Sequence, residues 1–210
     1  MAEKLFGSAA VLAGGLSKRM GFDKQLLMIN EKRLFDQIYN TLSEQFNDII
    51  VNTYRPDFYI DYPVRTVQDF FPNMGPLAGI HCSLKSTDSK YVYIIACDMP
   101  HINLSYINYM KEIIINEKNN LDACVTKRGN WIEPFNAFYS KNCLPVIEKD
   151  LMENKTSIRY FLKKVNTLEI FENKAREFSP DWSMFQNLNT KQLYEDYLNK
   201  LKFDYKKRDY

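Results

Sequence analysis

AAVLAGGLSKRMGFDK, residues 9–24, begins as an apolar run and breaks at Gly14-Gly15 into a stretch holding Ser17, Lys18, Arg19, Gly21, Asp23 and Lys24. The run 9–13 reads as a short buried strand and the remainder as a loop. Glycine lets backbone N–H groups approach a phosphate with no Cβ in the way, and it reaches positive φ cheaply. The cations supply the charge a polyphosphate needs, so the stretch reads as a strand feeding an anion-binding loop. Two other phosphate loops are excluded by the letters: there is no G-x-x-x-x-G-K-[ST], and no G-x-G-x-x-G follows this strand. Two glycines alone would equally suit a turn among solvated charges. The ordered positions from Leu12 to Lys24 argue against that.

Outward from the loop, strand and helix patterns alternate. Leu34, Ile38, Leu42 and Phe46 recur at helical spacing, and DIIVN, 48–52, reads as a buried strand with Asn52 at its C-terminal end. Open α/β sheets place their ligand crevice at that end of the strands, although an Asn there also simply starts turns. A short strand at 64–67 leads to Asp69, and the breaker-rich DFFPNMGP leads to a helix through Leu84. Gly75-Pro76-Leu77-Ala78-Gly79 looks like a loop closing onto that helix's N-terminus, with free N–H groups. YVYIIAC, 91–97, is apolar at odd and even positions alike, as a central parallel strand covered on both faces should be. Asp98 follows at once. A carboxylate there suits a divalent metal ion, because Mg2+ prefers hard oxygen ligands and takes some from substrate phosphates, although a strand-end Asp is also a common turn residue.

Further on, Asn103 is placed to cap a helix through Asn116, a buried strand spans 121–127, and a turn at 128–131 precedes a less regular segment at 132–139. Helices are expected at 144–151 and 157–165, a short strand at 168–171, and a last helix capped by Thr190 with Leu193, Tyr197 and Leu201 on its apolar face. Arg159, Lys163 and Lys164 either face a phosphate or form the solvated face of a helix. Residues 202–210, KFDYKKRDY, read as a frayed tail. With no repeat or linker, the pattern predicts one doubly wound α/β domain over 1–210, a mostly parallel Rossmann-like central sheet with helices on both faces. The right-handed crossover rule gathers the loops after the strands ending near Leu12, Asn52, Val67 and Cys97 on one edge.

Bulk properties narrow the classes. Of 210 residues, 45% are hydrophobic and 26% charged, and a formal net charge of +2 gives no reason to expect a surface that coats nucleic acid. The four cysteines, Cys82, Cys97, Cys124 and Cys143, show neither C-x-x-C nor zinc-site spacing, which fits free thiols in a reducing cytoplasm. No segment has the length of a membrane span, and the N-terminal apolar run is too short for a signal peptide.

The loop at 12–24 resembles the signature loop of nucleotidyltransferases that transfer a nucleoside monophosphate from an NTP, closest in likeness to the bacterial molybdenum cofactor guanylyltransferase (MobA) family. The resemblance continues in order through Val51-Asn52, Asp69 before G-P-L-A-G, C-D-M-P at 97–100 and N-L-N-T at 187–190. It implies the nucleotide-diphospho-sugar transferase type of fold, an NTP-binding N-terminal part and an acceptor-binding C-terminal part. It also implies a site in which Leu12, Ala13, Gly14, Gly15, Lys24, Asn52, Asp69, Gly79 and Asp98 bind the nucleotide. Lys24, Asp98 and Arg19 would be catalytic, with Asp98 holding Mg2+ or Mn2+. The implied substrates are GTP and molybdenum-loaded molybdopterin, in the cytoplasm, with other cofactor-biosynthesis proteins and molybdoenzyme chaperones as further partners. Trp131, Glu133 and Asn136, beside the pterin acceptor by the same resemblance, or else closing off the core, and Asn187 and Asn189 complete the candidates. The double glycine favours GTP over the LAAG-type cytidylyltransferases. E-P-F at 133–135 departs from the family's H-P or Q-P-L pattern and leaves the acceptor less fixed than the donor. Beside this reading stand a cytidylyl- or sugar-phosphate nucleotidylyltransferase and, from another class, a nucleotide-binding assembly protein without turnover.

Overall fold

Strand β1, Ser8–Leu12, is buried at all five positions, and its side chains divide by parity. Ala9 and Val11 enter the core on one face of a sheet, and Ala10 and Leu12 enter the core on the other. A period of two against an unbroken apolar run gives this result wherever both faces are covered. The computed structural model describes residues 4–14, 23–117 and 120–208, with the backbone alone for 204–208.

The chain continues through the hairpin β2 (Met28–Ile29) and β3 (Lys32–Arg33), turned by Asn30 and Glu31 at φ 49° and 66°. Then come α1 (Leu34–Ser43), β4 (Asp48–Asn52), β5 (Arg65–Val67), α2 (Pro76–Lys85), β6 (Tyr91–Ala96) and α3 (Leu104–Asn116). The second half holds β7 (Ala123–Arg128), β8 (Trp131–Ser140), α4 (Leu144–Met152), α5 (Ile158–Leu162), β9 (Thr167–Phe171), α6 (Glu172–Arg176) and α7 (Lys191–Arg208).

Seven strands form one sheet in the order β5-β4-β1-β6-β8-β7-β9, and β8 alone runs antiparallel to its neighbours. The molecule is thus a single α/β domain with a mostly parallel sheet. Its topological switch lies between β1 and β6, where successive crossovers diverge. The C-terminal ends of β1, β4, β5 and β6 share one edge, as the crossover rule predicts. One face packs Ile38 and Leu42 of α1 with Ile107 and Met110 of α3, and the other packs Leu77, Ile80 and Leu84 of α2 with Ile147 and Leu151 of α4. Each such fully buried aliphatic side chain contributes about 1.5–3 kcal/mol relative to exposure. All four cysteines are free and buried. No helix among the described residues is long and apolar enough to cross a membrane.

The caps read from sequence hold. Asn103 accepts from the Tyr106 amide at 2.9 Å and Thr190 Oγ1 from the Leu193 amide at 3.2 Å. Two expectations differ. The helix expected at 157–165 is only the five residues of α5. Leu193 is 41% exposed, because the sheet-facing stripe of α7 runs through Tyr197 and Leu201 instead. Helix α7 runs to Arg208 through a segment without Gly or Pro.

Candidate active site

Asp23 accepts from the Gln25 amide at 3.0 Å and so starts the short turn Lys24–Leu26. Gln25 is buried, and its Oε1 accepts from Thr53 Oγ1 at 2.6 Å and from Tyr59 Oη at 3.1 Å. The exit of the loop is thereby tied to the residue after β4, which fixes where Lys24 begins. From there Lys24 Nζ reaches Asp98 Oδ2 at 2.6 Å and Asn189 Oδ1. Asp98, immediately after Cys97, is 4% exposed, and its carbonyl accepts from the Leu188 amide at 2.9 Å. The N-L-N-T segment is therefore fastened to the end of the central strand, and residues 24, 98 and 189 meet there.

A second group lies at the ends of β1 and β4. Ala13 N–H donates to the Asn52 carbonyl at 2.9 Å, carrying the ladder one residue past β1. Asn52 is 2% exposed and donates from Nδ2 to Asp69 Oδ1 at 2.9 Å. Two glycines make room for its Oδ1. A Cβ on Gly14 would stand 3.1 Å from it, and one on Gly79 would stand 3.4 Å from it and 3.3 Å from both methyls of Leu12. At Asp69, Tyr54 Oη donates to Oδ2 at 3.2 Å. Burial pushes the Asp69 carboxyl above its ordinary value, partly offset by the hydrogen bonds from Asn52 and Tyr54. Burial and the neighbouring Asp69 carry Tyr54 up to about 12. With one donor on each oxygen, the carboxylate keeps acceptor capacity on both, the arrangement a pair of ligand N–H groups requires. Gly75, at φ 69°, closes onto α2, which begins at Pro76, with the proline in the first turn as the sequence indicated.

The candidates nearer the C-terminal half divide. Asn136 is buried at φ 54°; its Oδ1 accepts from Tyr93 Oη and its Nδ2 donates to the Met184 carbonyl, so the side chain is spent in joining β8 to the turn Ser183–Phe185. Trp131 is 63% exposed. Burial raises the Glu133 carboxyl, opposed by indole N–H bonds from Trp182 and Trp131. Arg159 and Lys163 line a cavity of about 240 Å³ with Lys127, Thr167 and Glu169, whereas Lys164 pairs with Asp150 at 2.5 Å. Asn187 donates to the Phe185 carbonyl at 3.4 Å and does not join Lys24.

Gly15, Ser17, Lys18, Arg19 and Gly21 lie outside the described residues. Sequence reading missed Tyr54 and Gln25. Tyr54 stands two residues past Asn52 at a strand end, a position that invites a ligand contact, whereas nothing in the spacing marks Gln25.

No group of three or more His, Cys, Asp or Glu side chains able to hold a metal occurs among the described residues. A single carboxylate at Asp98 suits a divalent cation that takes its remaining oxygens from substrate phosphates and water, and it does not suit a resident cage.

Comparison with known proteins identifies the family and the fold. Residues 9–169 match the family model described as the MobA-like NTP transferase domain. A protein of Peptoclostridium acidaminophilum named probable molybdenum cofactor guanylyltransferase is 48% identical over 198 residues, covering 93% of this chain and 90% of its own. The molybdenum cofactor guanylyltransferase of Syntrophotalea carbinolica is 47% identical over 190 residues, covering 90% of each chain. In structure, molybdopterin-guanine dinucleotide biosynthesis protein A of Archaeoglobus fulgidus superposes with a TM-score of 0.79 at 23% identity, covering 93% of this chain and 98% of that one. That likeness is one of fold, and because it is archaeal, the resemblance is not confined to bacteria.

Proposed function

The chain belongs to the MobA-like NTP transferase family, and from that premise we propose that it transfers GMP from GTP to molybdenum-loaded molybdopterin, releasing pyrophosphate and leaving the guanine dinucleotide form of the cofactor. The observation that carries the reading is the meeting of Lys24, from the loop's exit, with Asp98 and Asn189 beside the Asn52–Asp69 pair. A terminal phosphate oxygen of the acceptor attacks the α-phosphorus of GTP. The bond from the α-phosphorus to its bridging oxygen breaks, and pyrophosphate carries the electron pair away.

Such a reaction asks the protein chiefly for position and charge neutralisation. Lys24 neutralises the triphosphate, and Asn189 holds the ammonium in place. Gly14, with Gly15 and Arg19 assigned on the loop sequence, frames the phosphates. Asn52 and Asp69 contact the nucleoside, with Leu12, Ala13 and Gly79 shaping the wall. Asp98 would hold a divalent cation, Mg2+ or in its place Mn2+, which would supply charge neutralisation at the phosphates. The acceptor belongs on the side of Trp131, Glu133 and Asn187, within one domain spanning the chain. Cytoplasmic location and exchange of pterin and product with cofactor-biosynthesis proteins and molybdoenzyme chaperones accompany this reading.

The test is pyrophosphate release from GTP, ATP, CTP and UTP, with and without molybdopterin. Release that needs both GTP and the pterin is expected. A preference for CTP or UTP would move the chain to a neighbouring transferase activity, and nucleotide binding without release would make it an assembly protein.

A further inference from the structure

On α2, beside the segment that carries Asp69, lies a buried imidazole that the reaction above does not use. His81 has no exposed surface, its Nε2 stands 3.0 Å from Glu148 Oε1 on α4, and its Nδ1 has no hydrogen-bond partner among the described residues. With Nε2–H donating to the carboxylate, Nδ1 of a neutral ring is a lone pair kept dry and unpaired, a cost that leucine would avoid at this position. The helix is otherwise anchored by Leu77, Ile80 and Leu84, so packing alone does not call for histidine.

The ring's other contacts supply a reason. Phe70 and Phe71, which directly follow Asp69, meet the imidazole edge-on, with centroids at 5.9 and 5.2 Å and interplanar angles of 89° and 75°. Lys85, one helical turn beyond His81, lies 2.9 Å from the same Glu148 oxygen and 5.5 Å from the centroid of Phe70. Glu148 thus orients two residues of α2 from α4, and both of them grip Phe70. On the other side of Asp69, Cys82 Sγ donates to the Gln68 carbonyl at 2.9 Å. Asp69 therefore sits in a short segment fastened to α2 at both ends, by Cys82 before it and by His81 after it.

We propose that His81 is a positioning residue for nucleobase recognition: held by Glu148, it fixes Phe70 and Phe71, and through them the place of the Asp69 carboxylate. The proposal rests on the reading of Asp69 as a nucleoside contact. The experiment separates the two by following pyrophosphate release from the full chain, with GTP or ATP varied at saturating acceptor, for Asp69→Asn, His81→Leu, His81→Gln and Glu148→Gln.

His81→Leu is expected to raise the KM for GTP about tenfold with kcat within about twofold, the pattern of lost binding rather than lost chemistry, and to reduce the preference for GTP over ATP. His81→Gln, which still offers Glu148 a donor, should recover most of both. Glu148→Gln should shift KM the same way by less. If Asp69→Asn keeps the wild-type preference, the nucleoside reading fails and takes the proposal with it. If Asp69→Asn loses the preference while His81→Leu and Glu148→Gln keep the wild-type KM and preference, the positioning role alone is overturned. A fall in kcat without a change in KM, or a loss that glutamine does not recover, also overturns it. Should His81→Leu fail to fold, Glu148→Gln decides by the same readout, since the Glu148 side chain is 32% exposed and tolerates the change.

Discussion

Replacing Lys24 by alanine removes an ammonium 2.6 Å from Asp98 Oδ2 and leaves a carboxylate that is 4% exposed. Two separate losses follow. In the folded protein a charged hydrogen bond is worth about 1.5–3 kcal/mol, and solvent at the lysine, whose side chain is 22% exposed, draws the stability cost toward the lower end. At about 2–4 °C per kcal/mol for a domain of this size, the melting temperature should fall by roughly 3–8 °C. In the proposed reaction the same side chain would face the triphosphate, and losing about 1.5–3 kcal/mol of transition-state stabilisation would slow turnover by roughly 10- to 150-fold. The pair Lys24→Ala and Asp98→Asn separates the two. In the double variant no charge is left unpaired, so thermal stability should return most of the way, while pyrophosphate release stays at or below that of Lys24→Ala. Melting curves and a pyrophosphate assay at saturating GTP read both quantities on the same samples. A folded Lys24→Ala protein that turns over within about twofold of wild type, or a double variant that regains activity, would refute the reasoning.

Three other outcomes are expected. Because the folded-state pKa of Asp69 lies above its unfolded value, its contribution to stability is present below the unfolded value and lost as pH rises through the folded one. Asp69→Asn should therefore match or exceed wild type in melting temperature at pH 7 while binding GTP more weakly, as calorimetry of both would show. For Asp48, burial alone would raise the carboxyl, but hydrogen bonds from Arg65 and Ser8 bring it below the usual range. That contribution is present above an unfolded pKa near 3.9 and lost as pH falls through the lower folded value, so the deficit of Asp48→Asn, about 1 kcal/mol at pH 7, should close on acidification. Gly14→Ala places a Cβ 3.1 Å from Asn52 Oδ1 and should displace Asn52 from Asp69, raising the KM for GTP with little change in melting temperature.

How much was legible depends on the kind of signal each residue gave. Asn52, Asp69 and Asp98 stand at or just past strand ends, and the parallel sheet brings those ends together whatever the side chains do, whereas Lys24 was marked by the ordered loop sequence. Asn189 was marked only by a motif, since 165 residues separate it from Lys24 and no periodicity spans that distance. Gln25 gave no signal because its role is to satisfy Thr53 and Tyr59 inside the fold, which only the tertiary contacts reveal. Asn136 resembled an acceptor contact by its position in the chain, yet its positive φ and its bonds to Tyr93 and Met184 turn both of its polar ends inward. The direction of β8 was within reach, because the two residues Gly129 and Asn130 between β7 and β8 are too few for a parallel crossover.

The four buried free cysteines give the molecule an internal set of gauges. Burial raises every one of these thiols above its ordinary pKa, so in the closed fold each resists alkylation both by access and by scarcity of thiolate. Labelling then proceeds at the rate at which each neighbourhood opens. Cys82 reports on α2, Cys97 on the end of the central strand before Asp98, Cys124 on β7 and Cys143 on the turn before α4, on the opposite face of the sheet from Cys124. Mass spectrometry of the labelled peptides, with and without GTP, would map where a nucleotide tightens the protein without introducing a single substitution.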